Sequence, residues 1–370
     1  MKIKLFYHSL ISDWNHGNAH FLRGIVAELQ DRGHDVQLFE PSDGWSYTNL
    51  VKEHGGEAVQ NFKKYFPKLS TNFYFPGDVD FAELVQDADL VIVHEWNEGE
   101  LVQKIGELKE QFGYKLLFHD THHRSVSAPE DMARYDLSKY DGVLAFGDVI
   151  RDLYKEKGWA QNVWTWHEAA DTRLFYPRAA EEKKGDLVWI GNWGDDEREE
   201  ELEEFLINPV KELGLKATIY GVRYPEHALQ KLKDAGITYG GWLPNHKVPE
   251  VFSQYRLTVH VPRRYYTQSL PGIPTIRPFE AMACCIPLIS SPWTDSEGLF
   301  EEGKDFLMVQ NGEEMKETMK ELLSNPHKAR NLCTNGLNTI RAKHTCAIRV
   351  NELMDILEEL RQQEVSFEKV

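Results

Sequence analysis

Strand-like apolar runs alternate with helix-like segments along the whole chain. In the first half the runs span 3–9, 35–41, 90–96, 115–121, 142–147 and 163–167; in the second, 186–191, 217–222, 237–242, 257–262, 286–291 and 306–309. Most are continuously apolar rather than alternating. Strands buried on both faces read this way, which predicts parallel sheets covered by helices. The intervening segments are amphipathic: Leu22, Ile25, Val26 and Leu29 fall on one helical face, and Gly33 suits a left-handed cap after Arg32. The β-α-β order starts at the first residues and recurs after Gly185. The pattern therefore predicts an α/β fold of two doubly wound sheets in tandem.

A length of 370 residues agrees with two domains. The boundary is expected near 171–184, where Arg173-Leu174-Phe175-Tyr176-Pro177-Arg178 gives way to a charged stretch, 179–184, without apolar period. The expected division is 1–172, 173–345 and a last helical segment, 346–370. The apolar stripe Val350, Leu353, Met354, Leu357 and Leu360 must dock on something and is free to cross back to the first domain.

No stretch approaches the roughly 20 apolar residues of a membrane helix, and the N-terminus lacks the apolar core of a signal peptide. The expectation is a cytoplasmic protein with no integral membrane segment. The four cysteines, Cys284, Cys285, Cys333 and Cys346, form no Cys-x-x-Cys pair. A zinc site or disulfide framework is not expected, and adjacent Cys284 and Cys285 read as small buried residues in a reducing compartment. The net charge of −17 disfavours nucleic acid and anionic lipid as partners. It leaves room for a local basic pocket that holds a diphosphate.

Candidate chemistry centres on 271–291, which reads as a Gly/Pro-rich loop, a short helix and a buried strand. Pro278 suits the first helical position. The free N–H groups there make a phosphate site, Arg277 adds a forked cation, and Glu280 is placed to accept from vicinal ribose hydroxyls. An equally open reading makes Glu280 a dipole-stabilising residue and Arg277 a surface charge. Upstream, Gly191-Asn192-Trp193-Gly194 forms a strand-to-helix turn that lets a phosphate approach closely. The acidic residues of 195–201 read as a solvated helix start. Arg263 and Arg264 follow a strand at the edge where open α/β sheets bind ligands, with structural ion pairing as the alternative.

In the first half, His119-Asp120-Thr121-His122-His123 ends a strand. Histidines and a carboxylate suggest a metal, but neighbouring His122 and His123 point apart, and no metal site is expected. The long loop after the first strand carries Asp13, Trp14 and His16 and closes on Asn18 as a helix cap. His94-Glu95-Trp96-Asn97 ends another strand at the same edge. Asp78-Val79-Asp80 resembles a metal-binding Asp-x-Asp, yet Asp80 precedes a helical run and reads as its cap.

The segment Arg277-Pro278-Phe279-Glu280-Ala281, with Ala283-Cys284-Cys285-Ile286-Pro287, resembles the donor loop of GT-B glycosyltransferases of the retaining, family-4-like type. It is most similar to the CgeB-like (spore maturation) group. The Gly191 turn, Arg263, the stretch from His167 to Pro177 and the terminal helix extend the resemblance over most of the chain. It implies that Glu280 holds the nucleotide ribose and that Gly191, Asn192, Arg198, Arg263 and Arg277 meet the diphosphate. It also implies that His119 lies near the donor sugar in a cleft between the two domains. Asp13, Trp14 and His16 then face the acceptor, with Trp14 as a stacking surface or as ordinary core. The family often carries a second Glu eight positions before the first; here that position is Gly272.

The resulting expectation is a glycosyltransferase with a nucleotide diphosphate sugar as co-substrate, no other cofactor and no metal. Its acceptor is a sugar, glycan, protein or small molecule. The catalytic candidates are His119, Asp13 and His16. A non-catalytic nucleotide-sugar-binding protein and a nucleotide-sugar epimerase remain the alternatives. A dinucleotide dehydrogenase is disfavoured, because neither half has Gly-x-Gly-x-x-Gly after its first strand.

Overall fold

The computed structural model describes residues 1–179 and 182–367; positions 180 and 181 of the charged stretch and the last three residues lie outside the described residues. The chain forms two units, Met1–Glu168 with Cys346–Val370, and Ala169–Thr345. Each is a parallel α/β sheet with helices interleaved.

The first unit holds β1 (Lys2–Phe6), β2 (Asp35–Pro41), β3 (Asn72–Tyr74), β4 (Leu90–His94), β5 (Lys115–Asp120), β6 (Gly142–Ala145) and β7 (Val163–Thr165), in the order β3-β2-β1-β4-β5-β6-β7. All pairs are parallel, with Leu5 opposite Leu38 on one side and Ile92 on the other. β4 is buried throughout, so its uniformly apolar sequence has apolar neighbours on both faces. Edge strand β3 was not anticipated: three residues with exposed Asn72 and Phe73 carry too little apolar pattern.

The second unit holds β8 (Leu187–Ile190), β9 (Ala217–Tyr220), β10 (Thr238–Tyr239), β11 (Leu257–His260), β12 (Leu288–Ser290) and β13 (Leu307–Met308), in the order β10-β9-β8-β11-β12-β13, again all parallel. Leu187, Trp189, Leu257, Val259 and Ile289 join Leu206, Val210, Met315 and Met319 in its core. The outer runs at 237–242 and 306–309 pair over only two residues each.

Strand order reverses between β1 and β4 in the first unit and between β8 and β11 in the second. At such a switch point the connections leave in opposite directions and open a crevice beyond the strands' carboxyl ends. The loops there are the one at 7–18 and the one at 95–98, and in the second unit those at 191–198 and 261–264.

Local signals fare unevenly. Gly33 takes the left-handed conformation, φ 82°, and Asp80 caps its helix by accepting from the Ala82 N–H at 2.9 Å. Asn18 precedes the helix Ala19–Asp31 without a side-chain cap; its amide donates instead to the Thr121 carbonyl at 3.3 Å. Pro278 is the third residue, not the first, of the helix Ile276–Ala283. The position is tolerated because the third N–H also lacks an intrahelical acceptor. The helix expected after Gly194 is broken into a 3₁₀ turn (Asp195–Glu197), an α-turn (Glu199–Leu202), a π-turn (Glu203–Ile207) and a last α-segment, Asn208–Leu213.

The C-terminal helix Cys346–Phe367 packs within the first unit. Val350, Leu353, Leu357 and Leu360 are buried. Arg32 donates to the Ala347 carbonyl at 2.9 Å, and the Trp166 indole to the Arg349 carbonyl at 2.8 Å. No helix among the described residues is long and apolar enough to cross a membrane.

Candidate functional site

In the second unit the switch-point loops gather three arginines. Arg198 donates through Nη1 to the Val261 carbonyl at 2.9 Å and through Nε to the Trp193 carbonyl at 3.3 Å; Nη2 donates to the Asn192 carbonyl. Its guanidinium lies 5.1 Å from the Trp189 ring centre. Every one of these partners is neutral, and among the described residues no carboxylate pairs with Arg198. The side chain keeps some exposure, yet burial of its head, and then the positive charge of Arg263, pull its pKa down to about 9. Charge held this way is costly, since neither water nor a counter-ion offsets it fully. A bound anion relieves that cost.

Arg263, after β11, bonds Glu197 at 3.2 Å and Arg264 bonds Glu201 at 2.8 Å. The acidic residues after Gly194, expected to be only a solvated helix start, are therefore the partners of these cations. Arg277 pairs with Glu280 one turn along its helix, and the other Glu280 oxygen accepts from Asn245 Nδ2 at 2.8 Å. Glu280 is wholly buried. The cation assigned to phosphate and the carboxylate assigned to ribose are thus joined to each other. Arg277 keeps further N–H donors, so its guanidinium can still meet a ligand.

The Gly191 turn is built by close backbone approach. The Gly191 carbonyl accepts from the Tyr224 hydroxyl at 2.8 Å, and the Asn192 side chain accepts from the Val222 N–H at 3.0 Å. A Cβ on Gly221 would lie 2.0 Å from the Gly191 oxygen, so only glycine fits there. Just before the helix Ile276–Ala283, Thr275 sits at φ 61°, a costly conformation for a β-branched residue. Gly272 lies at φ 92°, and a Cβ there would come 2.6 Å from a Glu297 carboxylate oxygen. A side chain at 272 would have to displace those of Glu297 and Ser296 and adopt a positive φ.

In the first unit the histidines collect at the carboxyl ends of β1, β4 and β5. His119 is buried; its Nδ1 shares a 2.6 Å hydrogen bond with the Tyr7 hydroxyl, and its ring packs against Trp166. Its Nε2 has no hydrogen-bond partner among the described residues. Burial pulls its pKa down to about 3, which keeps the ring neutral, a hydrogen-bonding rather than a charged group. The His8 and His16 rings lie 3.9 Å apart, and the His94 Nε2 bonds Thr121 at 2.9 Å. Burial lowers the pKa of His8 to about 4, and burial with the His8 charge lowers that of His16 well below its ordinary value. Glu95 and Asp120 are buried beside this cluster; burial lifts Glu95 well above the carboxylate range and Asp120 to about 6.

At this edge Asp13 and Trp14 are both held inside the unit, Trp14 in the core position that its sequence reading left open. Asp13 is drawn into an ion pair with Arg23 at 2.9 Å, both side chains nearly buried, while Arg23 also holds the Leu10 and Ile11 carbonyls. Asp13 therefore fixes the loop rather than standing free as a base. Trp14 is buried, with its indole donating to Glu53 at 2.7 Å. The exposed rings nearby are Trp45 and Trp96. Among the described residues, no group of three or more His, Cys, Asp or Glu is arranged to hold a metal ion.

Sequence reasoning missed Tyr7, Tyr224, Gly221 and Asn245, which orient the residues it did find. None lies in a motif; each acts through a contact with a residue at least 30 positions away. Gly221, ending the run after β9, was the one faint signal.

A family model described as "Glycosyl transferase-like" matches residues 198–355. That range begins at Arg198 and includes Arg263, Arg277 and Glu280. No curated protein matches. Among solved structures, the chain is similar to Anabaena HepE in complex with UDP and glucose, at 14% identity and TM-score 0.68, over 97% of this chain and 100% of that one. It is similar to the sucrose-phosphate synthase of Thermosynechococcus elongatus at 16% identity and TM-score 0.65, over 97% and 99%. An alpha-glucosyltransferase in complex with UDP matches at 14% identity and TM-score 0.69, over 97% and 100%. The fold is that of the GT-B glycosyltransferases, two parallel-sheet α/β domains.

Proposed function

We propose that this chain is a glycosyltransferase that takes a hexose from a nucleoside diphosphate sugar and passes it to a hydroxylated acceptor. The observation that carries the reading is Arg198, a crowded cation held by neutral carbonyls beside Arg263 and Arg277 at the sheet's switch point. When the donor's glycosidic bond breaks, negative charge accumulates on the departing diphosphate. Fixed guanidinium groups stabilise that charge more in the transition state than in the ground state. Glu280, held by Arg277 and Asn245, binds the ribose. His119, neutral and braced by Tyr7, offers a hydrogen bond to the sugar. His16 belongs to the acceptor side, with Asp13 setting its loop.

Three finer features belong to this proposal: retention of anomeric configuration, independence of divalent metal, and kinship with the CgeB-like group. HepE and the alpha-glucosyltransferase are solved in complex with UDP, which makes UDP and UDP-glucose the first probes. A nucleotide at 100 times its dissociation constant stabilises the folded state by about 2.7 kcal/mol. A thermal-shift series over the common nucleoside diphosphates should show one such rise. No rise with any of them would contradict the reading.

Gly272 supports a second reading, a protein that binds the donor without transferring from it, because a carboxylate often present in similar enzymes is missing from that position. It predicts the same thermal shift but no release of nucleoside diphosphate from the donor in the presence of acceptor sugars.

A further inference from the structure

Cys285 and Cys333 lie 2.9 Å apart, sulfur to sulfur, although 48 positions separate them in sequence. Cys285 follows the helix Ile276–Ala283 in a left-handed backbone conformation, φ 54°, and Cys333 sits within the helix Pro326–Lys343. Packing holds the two elements together. Gly336, one turn after Cys333, presses on the first helix so closely that a Cβ would lie 2.8 Å from Met282 Cγ. Leu332, Leu337 and Ile340 are buried on the same helix.

The two sulfurs differ in character. Cys285 keeps some exposure, and a hydrogen bond from the Cys333 thiol holds its pKa down at about 7. Cys333 is buried, and the Cys285 sulfur and burial push its thiol up. Adjacent Cys284 is buried and pushed well up by burial, so it stays a thiol. Thiolate character and access decide which sulfur attacks a disulfide.

We propose that Cys285 and Cys333 are a modification site, a dithiol that closes to an intrachain disulfide by exchange with a low-molecular-weight disulfide such as oxidised glutathione. The Cys285 thiolate attacks one glutathione sulfur, forming a mixed disulfide and expelling a glutathione thiolate. Cys333 then gives up its proton and attacks Cys285 Sγ, expelling the second glutathione. The protein loses two protons and two electrons, and one oxidised glutathione becomes two reduced ones. The new bond ties the end of the helix bearing Arg277 and Glu280 to the helix Pro326–Lys343.

The test uses the full chain equilibrated in glutathione buffers of graded oxidised-to-reduced ratio, quenched, and mapped by peptide mass spectrometry without reduction. The C284S variant is mapped in parallel, because Cys284 and Cys285 share a peptide. The expected result is one cross-link, Cys285 to Cys333, retained in C284S and C346S, absent from C285S, C333S and C333A, and reversed by dithiothreitol. The oxidised chain should also unfold at a higher temperature than the reduced one. The proposal is overturned if all four thiols stay reactive, if oxidation stops at a glutathione adduct on Cys285, or if the bond recovered involves Cys284 or Cys346. Circular dichroism of C333S and C333A establishes that a missing cross-link does not reflect a missing fold.

Discussion

Arg277 and Glu280 form an ion pair three residues apart in one helix, with the carboxylate fully buried and the guanidinium 19% exposed. Asn245, from another part of the unit, completes the carboxylate's coordination at 2.8 Å. In the proposed function, phosphate and ribose recognition form a single unit, since moving either charge moves the other. It also makes Glu280 a stability determinant before any ligand is considered.

Replacing Glu280 by Ala strands Arg277 and the Asn245 amide. Breaking a buried pair by removing one partner costs about 3 kcal/mol, so E280A should lower the unfolding free energy by that margin and abolish the nucleotide-dependent thermal shift. E280Q keeps the acceptor for Asn245 and should recover part of the stability but little of the shift. A full shift in E280A would contradict the assigned ribose contact.

Arg263 is the cleaner probe of the anion site. Its partner Glu197 is partly exposed, and such pairs contribute at most about 1 kcal/mol. R263A should leave the unfolding midpoint within that range. Loss of a hydrogen bond to a charged group is worth about 1.5–3 kcal/mol, so nucleoside diphosphate affinity should fall by roughly tenfold to a hundredfold. Urea denaturation measures the stability and isothermal titration in low salt the affinity.

Gly272→Ala tests the donor-loop geometry. A φ of 92° and a Cβ 2.6 Å from the Glu297 carboxylate are both unfavourable. The expected loss is about 1–3 kcal/mol. Adding E297A should restore only the steric part, because the backbone cost at 272 persists. Equal stability of G272A and the parent chain would show that the loop relaxes freely.

Glu40 should make the first unit's stability fall as pH rises. It is wholly buried, and burial lifts its pKa to about 7, although the Leu10 N–H donates to it at 2.6 Å. The folded chain keeps this proton where the unfolded chain has released it. Stability is therefore lost between about pH 4.5 and pH 7, and the loss is complete above pH 7, up to about 3 kcal/mol. E40Q can still accept from Leu10 and should stabilise the protein at pH 8 but not at pH 4.5, as followed by urea denaturation.

Much of the fold was legible in the sequence because it rests on local patterning. Continuous apolar runs such as 90–96 belong to strands buried on both faces, and the stripe from Leu22 to Leu29 belongs to a helix with one buried face. Gly33 and Asp80 act on their own backbone within a few residues, so their signals survived. Pairing order was not local: β1 lies between β2 and β4 because of which apolar faces helices can cover, and β3 was too short to show a pattern.

The site divides along the same line. Sequence by itself placed Gly191, Arg263 and His119 at strand ends, Arg198 beyond the Gly191 turn, and Arg277 and Glu280 at a helix start, because residue type and position relative to an element are one-dimensional facts. Only the tertiary structure decided what each is bonded to. It turned Asp13 onto Arg23, buried Trp14, closed Arg277 onto Glu280, and set Arg198 among backbone carbonyls. Those partnerships, from 3 to 63 positions apart, are chosen by the need to satisfy each buried charge and donor, a requirement that exists only once the chain has folded and excluded water.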